Sequence, residues 1–155
     1  MEETIASVRR VSHDLRPVVL ERLGLVEAIG SLVDQVNQSG DLKIQFEQKV
    51  QGGGLEKEDE LNWYRIVQEL INNTLKHAQA TKIKIGISGS KNGLVLIFED
   101  NGVGFPADTE KRAGLGLSNI ESRLNLMKGH LEYIDTKKGV QMKIYSYHKP
   151  EIENT

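Results

Sequence analysis

Apolar and polar positions along the chain fall into segments of two periods. From Ile5 to Leu15 the apolar residues Ile5, Val8, Val11 and Leu15 recur at helical spacing, and Pro17 interrupts that run. A second helical series, Leu25, Ile29, Leu32, Val33 and Val36, ends near Ser39-Gly40. "KIQFEQKV" (43–50) then switches to period two, with Ile44, Phe46 and Val50 on one side and Lys43, Gln45, Glu47 and Lys49 on the other, as in a half-buried strand. Residues 57–78 carry the strongest helical stripe: Trp63, Ile66, Val67, Leu70, Ile71, Thr74, Leu75 and Ala78. Beside it lie Arg65, Glu69, Asn72, Asn73, Lys76 and His77.

Two strands, 81–88 and the continuously apolar 94–100, flank Asn92-Gly93, a hairpin dipeptide. A helix from about Leu117 to Met127 is expected to end at Gly129, and strands near 131–135 and 140–147 follow. The tail from Pro150 is polar and expected to fray. Adjacent strands with one-sided alternation predict an α+β fold, a two-layer α/β sandwich with a mixed or antiparallel sheet and helices on one face. A doubly wound sheet would need strictly alternating strands and helices.

Composition narrows the functions available. The 155 residues suit one compact domain with a helical extension. Twenty Lys+Arg against 22 Asp+Glu give a net charge of −2, and no basic surplus points to nucleic acid. There is no cysteine, so disulfides and thiolate metal sites are excluded, and the four scattered histidines suggest no zinc site. No apolar run approaches the roughly 20 residues that span a bilayer. A soluble domain of cytoplasmic type is the expectation, with any membrane anchor of a parent protein lying elsewhere.

Three clusters carry candidate chemistry. Glu69 and Asn73 are four residues apart and share a helix face, with Lys76 and His77 a further turn along; an ordinary solvated face has the same spacing. "EDNGVGF" places Asp100 at a strand end, leading into Gly102 and Gly104. That pattern is either a plain β-turn or a carboxylate that accepts from the exocyclic amine of adenine and repels the acceptor at that position in guanine. "AGLGLSNIESR" (113–123) puts two glycines directly before a helix, whose N-terminus suits phosphate, although a helix-start loop reads the same way. The polar stretch "PADTEKRA" between the last two clusters is a candidate lid, whereas "QGGGLEKED" reads as a surface loop.

In order, E-x-x-x-N-x-x-K-H, D-x-G-x-G and G-x-G-L heading a helix resemble the N, G1 and G2 boxes of the ATP-binding superfamily of sensor histidine kinases, gyrase, Hsp90 and MutL, over roughly residues 42–147. "QELINNTLKHAQATKI", "EDNGVGF" and "GLGLSNIESRL" look most like sensor histidine kinases of the DesK/NarX-like group, and "LRPVVLERLGLVEAI" resembles the segment there that ends the second dimerisation helix.

The resemblance implies residues 1–40 as the end of a dimerisation and phosphotransfer region, 41–149 as an ATP-binding catalytic domain, and 150–155 as a disordered tail. It implies Asn73 as the Mg²⁺ ligand, Lys76 facing the phosphates and Asp100 the adenine amine. His77 is a pocket residue or plain helix surface. Gly102, Gly104, Gly114, Leu115, Gly116 and Leu117 would shape the ATP pocket. Glu69, with Asn73 a catalytic candidate, stands where hydrolysing relatives carry a general base; in a kinase it would instead orient Mg²⁺-bound water or assist the incoming imidazole. Thr74 stands where alanine is usual and Val140 where threonine commonly follows the last glycine; both read as tolerated variation. His130 and His148 read as surface residues.

His13, directly before Asp14, is not the expected phosphoacceptor. Pro17 would break the helix that should continue past it, and the 60 positions to Asn73 leave no room for a hairpin of helices. The reading is therefore a Mg²⁺-ATP-binding histidine kinase domain. Its partners would be an acceptor histidine on a dimerisation helix of the same parent kinase and a downstream response regulator. Residues 1–37 would support at most a weak homodimer. Rival readings are an ATP-driven clamp with Glu69 activating water, an anti-sigma serine kinase on the same fold, and a module that senses nucleotide without transfer.

Overall fold

The computed structural model describes residues 17–51, 55–90, 93–104, 117–134 and 138–147. The first predicted helix and His13 therefore lie outside the described residues, as do the candidate lid, Gly114, Leu115, Gly116, His148 and the tail.

Two helices open the described chain. α1 (Val18–Leu23) begins immediately after Pro17, whose extended backbone (φ −60°, ψ 136°) serves as its N-cap. The sequence pattern did not anticipate α1, because six residues are too short for a period to register. Gly24 (φ 86°) turns the chain, and α2 (Leu25–Ser39) runs to Gly40 in the left-handed conformation, as expected from Ser39-Gly40. Next come β1 (Lys43–Val50), the long helix α3 (Lys57–Asn73), a single π-helical turn (Thr74–Ala78), β2 (Lys82–Ser90) and β3 (Gly93–Asp100). α4 (Leu117–Leu126), β4 (Gly129–Ile134) and β5 (Val140–Tyr147) complete the fold.

α4 stops at Leu126, and Lys128, with φ 54°, takes the left-handed position expected of Gly129. Gly129 instead starts β4 against Ser146. Between β2 and β3, Ser90 pairs with Gly93, so positions 91 and 92, outside the described residues, make the connection.

The sheet has strand order β1-β2-β3-β5-β4. β1 and β2 are parallel, joined by the α3 crossover, and the other pairs are antiparallel. Register stacks the core-facing side chains in rows: Phe46, Ile85, Phe98 and Met142 in one, Ile87, Leu96, Ile144 and Leu131 in the next. β3 reads as continuously apolar, yet burial alternates: Leu94, Leu96, Phe98 and Asp100 are buried while Val95 and Ile97 are half-buried on the other face. Among the described residues helices cover one face of the sheet, which bears out the predicted α+β sandwich. Leu20, Leu25, Ala28, Ile29 and Val33 of α1 and α2 join Trp63, Ile66, Leu70, Ile120 and the strand residues in one core. Each fully buried aliphatic side chain there contributes about 1.5–3 kcal/mol.

Asn37 fastens the helical layer to the sheet edge. Its Oδ1 accepts from Ile44 N at 2.7 Å and its Nδ2 donates to Ile44 O at 3.0 Å. No helix among the described residues is long and apolar enough to cross a membrane.

Candidate functional site

The period-two pattern of β3 determines where Asp100 goes. Leu94, Leu96, Phe98 and Asp100 all face the helices, so the row Ile44, Ile83, Asp100, Val140 carries a carboxylate in an apolar position. Asp100 is 5% exposed. A buried carboxylate needs donors, and backbone supplies them: Oδ1 accepts from Gly102 N at 2.9 Å and from Val140 N at 3.2 Å. Oδ2 meets Thr74 Oγ1 at 3.4 Å, its one protein partner among the described residues.

Asn101 locks the strand end. Its Oδ1 accepts from the backbone N–H of Thr81 (2.9 Å) and Lys82 (3.0 Å), its Nδ2 donates to Thr81 Oγ1 at 2.9 Å, and its own N–H donates to Lys82 O. Gly139, immediately before β5, has φ +82°, and a Cβ there would collide with the Asp100 carbonyl oxygen. Gly104, at φ +83°, is in turn so close that a Cβ would sit 3.3 Å from the Gly139 carbonyl. Two glycines thus let three backbone segments meet around one carboxylate.

From the other side comes the end of α3. Leu70 and Thr74 face inward and are buried, while Glu69 and Asn73, on the adjoining face, are half-buried. Thr74 Oγ1 also donates to Leu70 O at 3.0 Å. The α-helix ends at Asn73 and the chain continues as a π turn, which places one extra residue in the turn. The helical stripe consequently loses phase: Leu75, predicted to be part of it, is exposed, as is Lys76. The backbone of His77 lies in that turn, and its side chain is outside what is described. Arg65, expected on the polar flank, is buried within the helix layer, where its Nη1 donates to Gln68 Oε1 at 2.8 Å. Leu117 is buried as the first residue of α4, and Arg123 Nη1 ties that helix to α3 through Asn62 Oδ1 at 3.3 Å.

The fold therefore brings Asp100, Gly102, Gly104 and the Thr74 end of α3 to one corner, with Asn73 adjacent in the chain. Gly114, Leu115 and Gly116 fall outside the described residues. Sequence reading missed three contributors. Asn101 has no signal of its own in a D-N-G turn, Gly139 reads as an ordinary turn glycine, and Thr74 reads as a neutral departure although it is the side chain that reaches Asp100. No cluster of three or more His, Asp or Glu suited to a metal occurs among the described residues. A metal here would take few protein ligands, and the half-buried amide oxygen of Asn73 is a hard donor that suits Mg²⁺ carrying its remaining ligands from a nucleotide and water.

Residues 58–150 match the family model described as histidine kinase-, DNA gyrase B- and HSP90-like ATPase. The chain is 38% identical over 141 residues, 90% of its length, to the sensor histidine kinase ComP of Bacillus subtilis (strain 168), of which it covers 18%. It is 30% identical over 131 residues to the signal transduction histidine-protein kinase/phosphatase DegS of Brevibacillus brevis, covering 84% of this chain and 34% of that protein. Among solved structures, the catalytic domain of histidine kinase ThkA matches with TM-score 0.60 at 16% identity, over 80% of this chain and 90% of that one. The histidine kinase domain of the blue-light activated kinase EL346 from Erythrobacter litoralis matches with TM-score 0.58 at 19% identity, over 77% of this chain and 57% of that one. These two likenesses concern the fold. The chain spans well under half the length of both curated relatives.

Proposed function

The chain belongs to the histidine kinase-, DNA gyrase B- and HSP90-like ATPase family, and from that premise we propose that it is the Mg²⁺-ATP-binding catalytic domain of a two-component sensor histidine kinase. The observation that carries the reading is the buried Asp100, with Oδ1 saturated by backbone and Oδ2 holding spare acceptor capacity next to the end of α3. An adenine 6-amino group donating to Oδ2 would complete it. Gly102 and Gly104 would let backbone approach the flat base, and Glu69, Asn73 and Lys76 would face the triphosphate. His77 and the segment Gly114, Leu115, Gly116, with Leu117 opening α4, would complete the wall around it. Mg²⁺, when bound, would neutralise phosphate charge, with Asn73 as its ligand from this chain.

In this reading the domain presents the γ-phosphate in line to a histidine on a partner dimerisation helix, acting by positioning and charge rather than by covalent chemistry of its own. Residues 1–40 end the dimerisation region, 41–149 form the catalytic domain and 150–155 a tail. The domain works on the cytoplasmic side and a response regulator follows it.

The test is incubation with Mg²⁺ and γ-labelled ATP, with and without a fragment bearing an acceptor helix. Acid-labile label on the fragment is the expected result. Steady phosphate release without protein label would replace transfer by Glu69-activated hydrolysis. His13→Ala should leave transfer to the fragment intact, and its loss with ATP binding preserved would make His13 the acceptor.

A further inference from the structure

The side chain that reaches Asp100 is Thr74, the first residue of the π turn that follows α3. Thr74 is 4% exposed, and its hydroxyl has one proton for two acceptors, Leu70 O at 3.0 Å and Asp100 Oδ2 at 3.4 Å. Backbone N–H groups hold Oδ1 from two directions and Val140, lacking a polar side chain, gives Asp100 nothing else. Rotation of the carboxylate about its Cβ–Cγ bond moves both oxygens together, so it is limited by the two backbone N–H groups on Oδ1 and, among the described side chains, by Thr74 on Oδ2. A hydroxyl at 3.4 Å is a weak donor, but among the described residues it is the one protein group that touches the oxygen that would receive a ligand N–H.

We propose that Thr74 is a specificity-determining positioning residue. Its hydroxyl sets the orientation of Asp100 Oδ2 and thereby the preference for a purine that carries a 6-amino donor over one that carries a 6-oxo acceptor. The proposal rests on Asp100 being the base-recognising carboxylate and adds a second, helix-borne member to that edge. The helix end that would hold Asn73 against the metal is the same one that holds Thr74 against the base carboxylate. Base identity and phosphate geometry are thus set by consecutive residues of one rigid element.

The experiment measures dissociation constants for Mg²⁺-ATP and Mg²⁺-ITP by calorimetry on the full chain and on Thr74→Val, Thr74→Ser and Asp100→Asn, with thermal melting of each. Thr74→Val keeps the shape and removes the hydroxyl. It should weaken ATP about five- to tenfold, as the loss of one hydrogen bond of ordinary strength does, while leaving ITP unchanged. Thr74→Ser should restore the ATP-to-ITP ratio. A lower melting temperature for Thr74→Val with an unchanged ratio makes the hydroxyl a helix-packing group only and overturns the proposal, as does a serine variant that fails to restore the ratio. Asp100→Asn separates the two levels. If it loses ATP preference while Thr74→Val does not, the Thr74 inference alone falls; if it binds ATP like the parent, the underlying reading of Asp100 falls with it.

Discussion

In α3 the six consecutive residues Trp63 to Gln68 are all buried, whereas from Glu69 onward burial alternates with partial exposure and the run ends in a π turn. The first stretch lies under α1 and α2, beside α4 and over the sheet, so that no face is left for water. Even its polar members are enclosed: Arg65 pairs with Gln68, and burial pushes the Tyr64 hydroxyl above its ordinary pKa, opposed by the Arg65 charge and the Gln68 hydrogen bond. The second stretch has the same apolar spacing but is only partly covered by the described residues, and there the half-buried Glu69 and Asn73 adjoin the Thr74–Asp100 contact. One helix thus anchors the domain with its middle and reaches the Asp100 corner with its end. Side chains of similar polarity differ in role because of what covers them.

That contrast can be broken by four substitutions. Trp63→Ala should cost about 3–5 kcal/mol in denaturant unfolding, because a fully buried indole leaves a cavity; a loss under about 1 kcal/mol would mean that the middle of α3 is no anchor. Gly139→Ala should cost more than about 2 kcal/mol, since it combines left-handed backbone with a collision at the Asp100 carbonyl, and it should also weaken ATP. Retained nucleotide affinity in a folded Gly139→Ala protein would detach Asp100 from the site. Asn101→Ala should cost about 1 kcal/mol, its backbone donors regaining water at an exposed strand end. Asn73→Ala should move stability by less than about 0.5 kcal/mol yet abolish Mg²⁺-dependent ATP binding, and an unchanged dissociation constant in calorimetry would remove Asn73 from the metal.

Much of this was legible beforehand because it depends on period. The alternation in 43–50 and the stripe in 57–78 gave the strand, the helix and the one-sided sheet, since burial on one face imposes its own repeat on the sequence. Asp100 stood out as a carboxylate closing an apolar run. What escaped notice depends on register and backbone closeness. That Gly139 touches the Asp100 backbone follows from the pairing of Asp100 with Val140, 40 positions away, which no local pattern encodes. α1 is too short for a period, and the slip at Leu75 arises because a π turn breaks the 3.6-residue count on which the stripe was built. Arg65 was misjudged because its spacing matches the outer flank, whereas the helices covering that flank are set by other segments.

β1 forms one margin of the sheet, and a bare margin of N–H and C=O groups invites another strand to zip alongside. Here the amide of Asn37 occupies both outward groups of Ile44, and Gln48 covers the Val50 N–H from within its own strand. With both ends of that margin stoppered, a neighbouring chain finds no continuous ladder to extend. Crowding many copies of this domain together should favour contacts between side chains over fibrils built on β1.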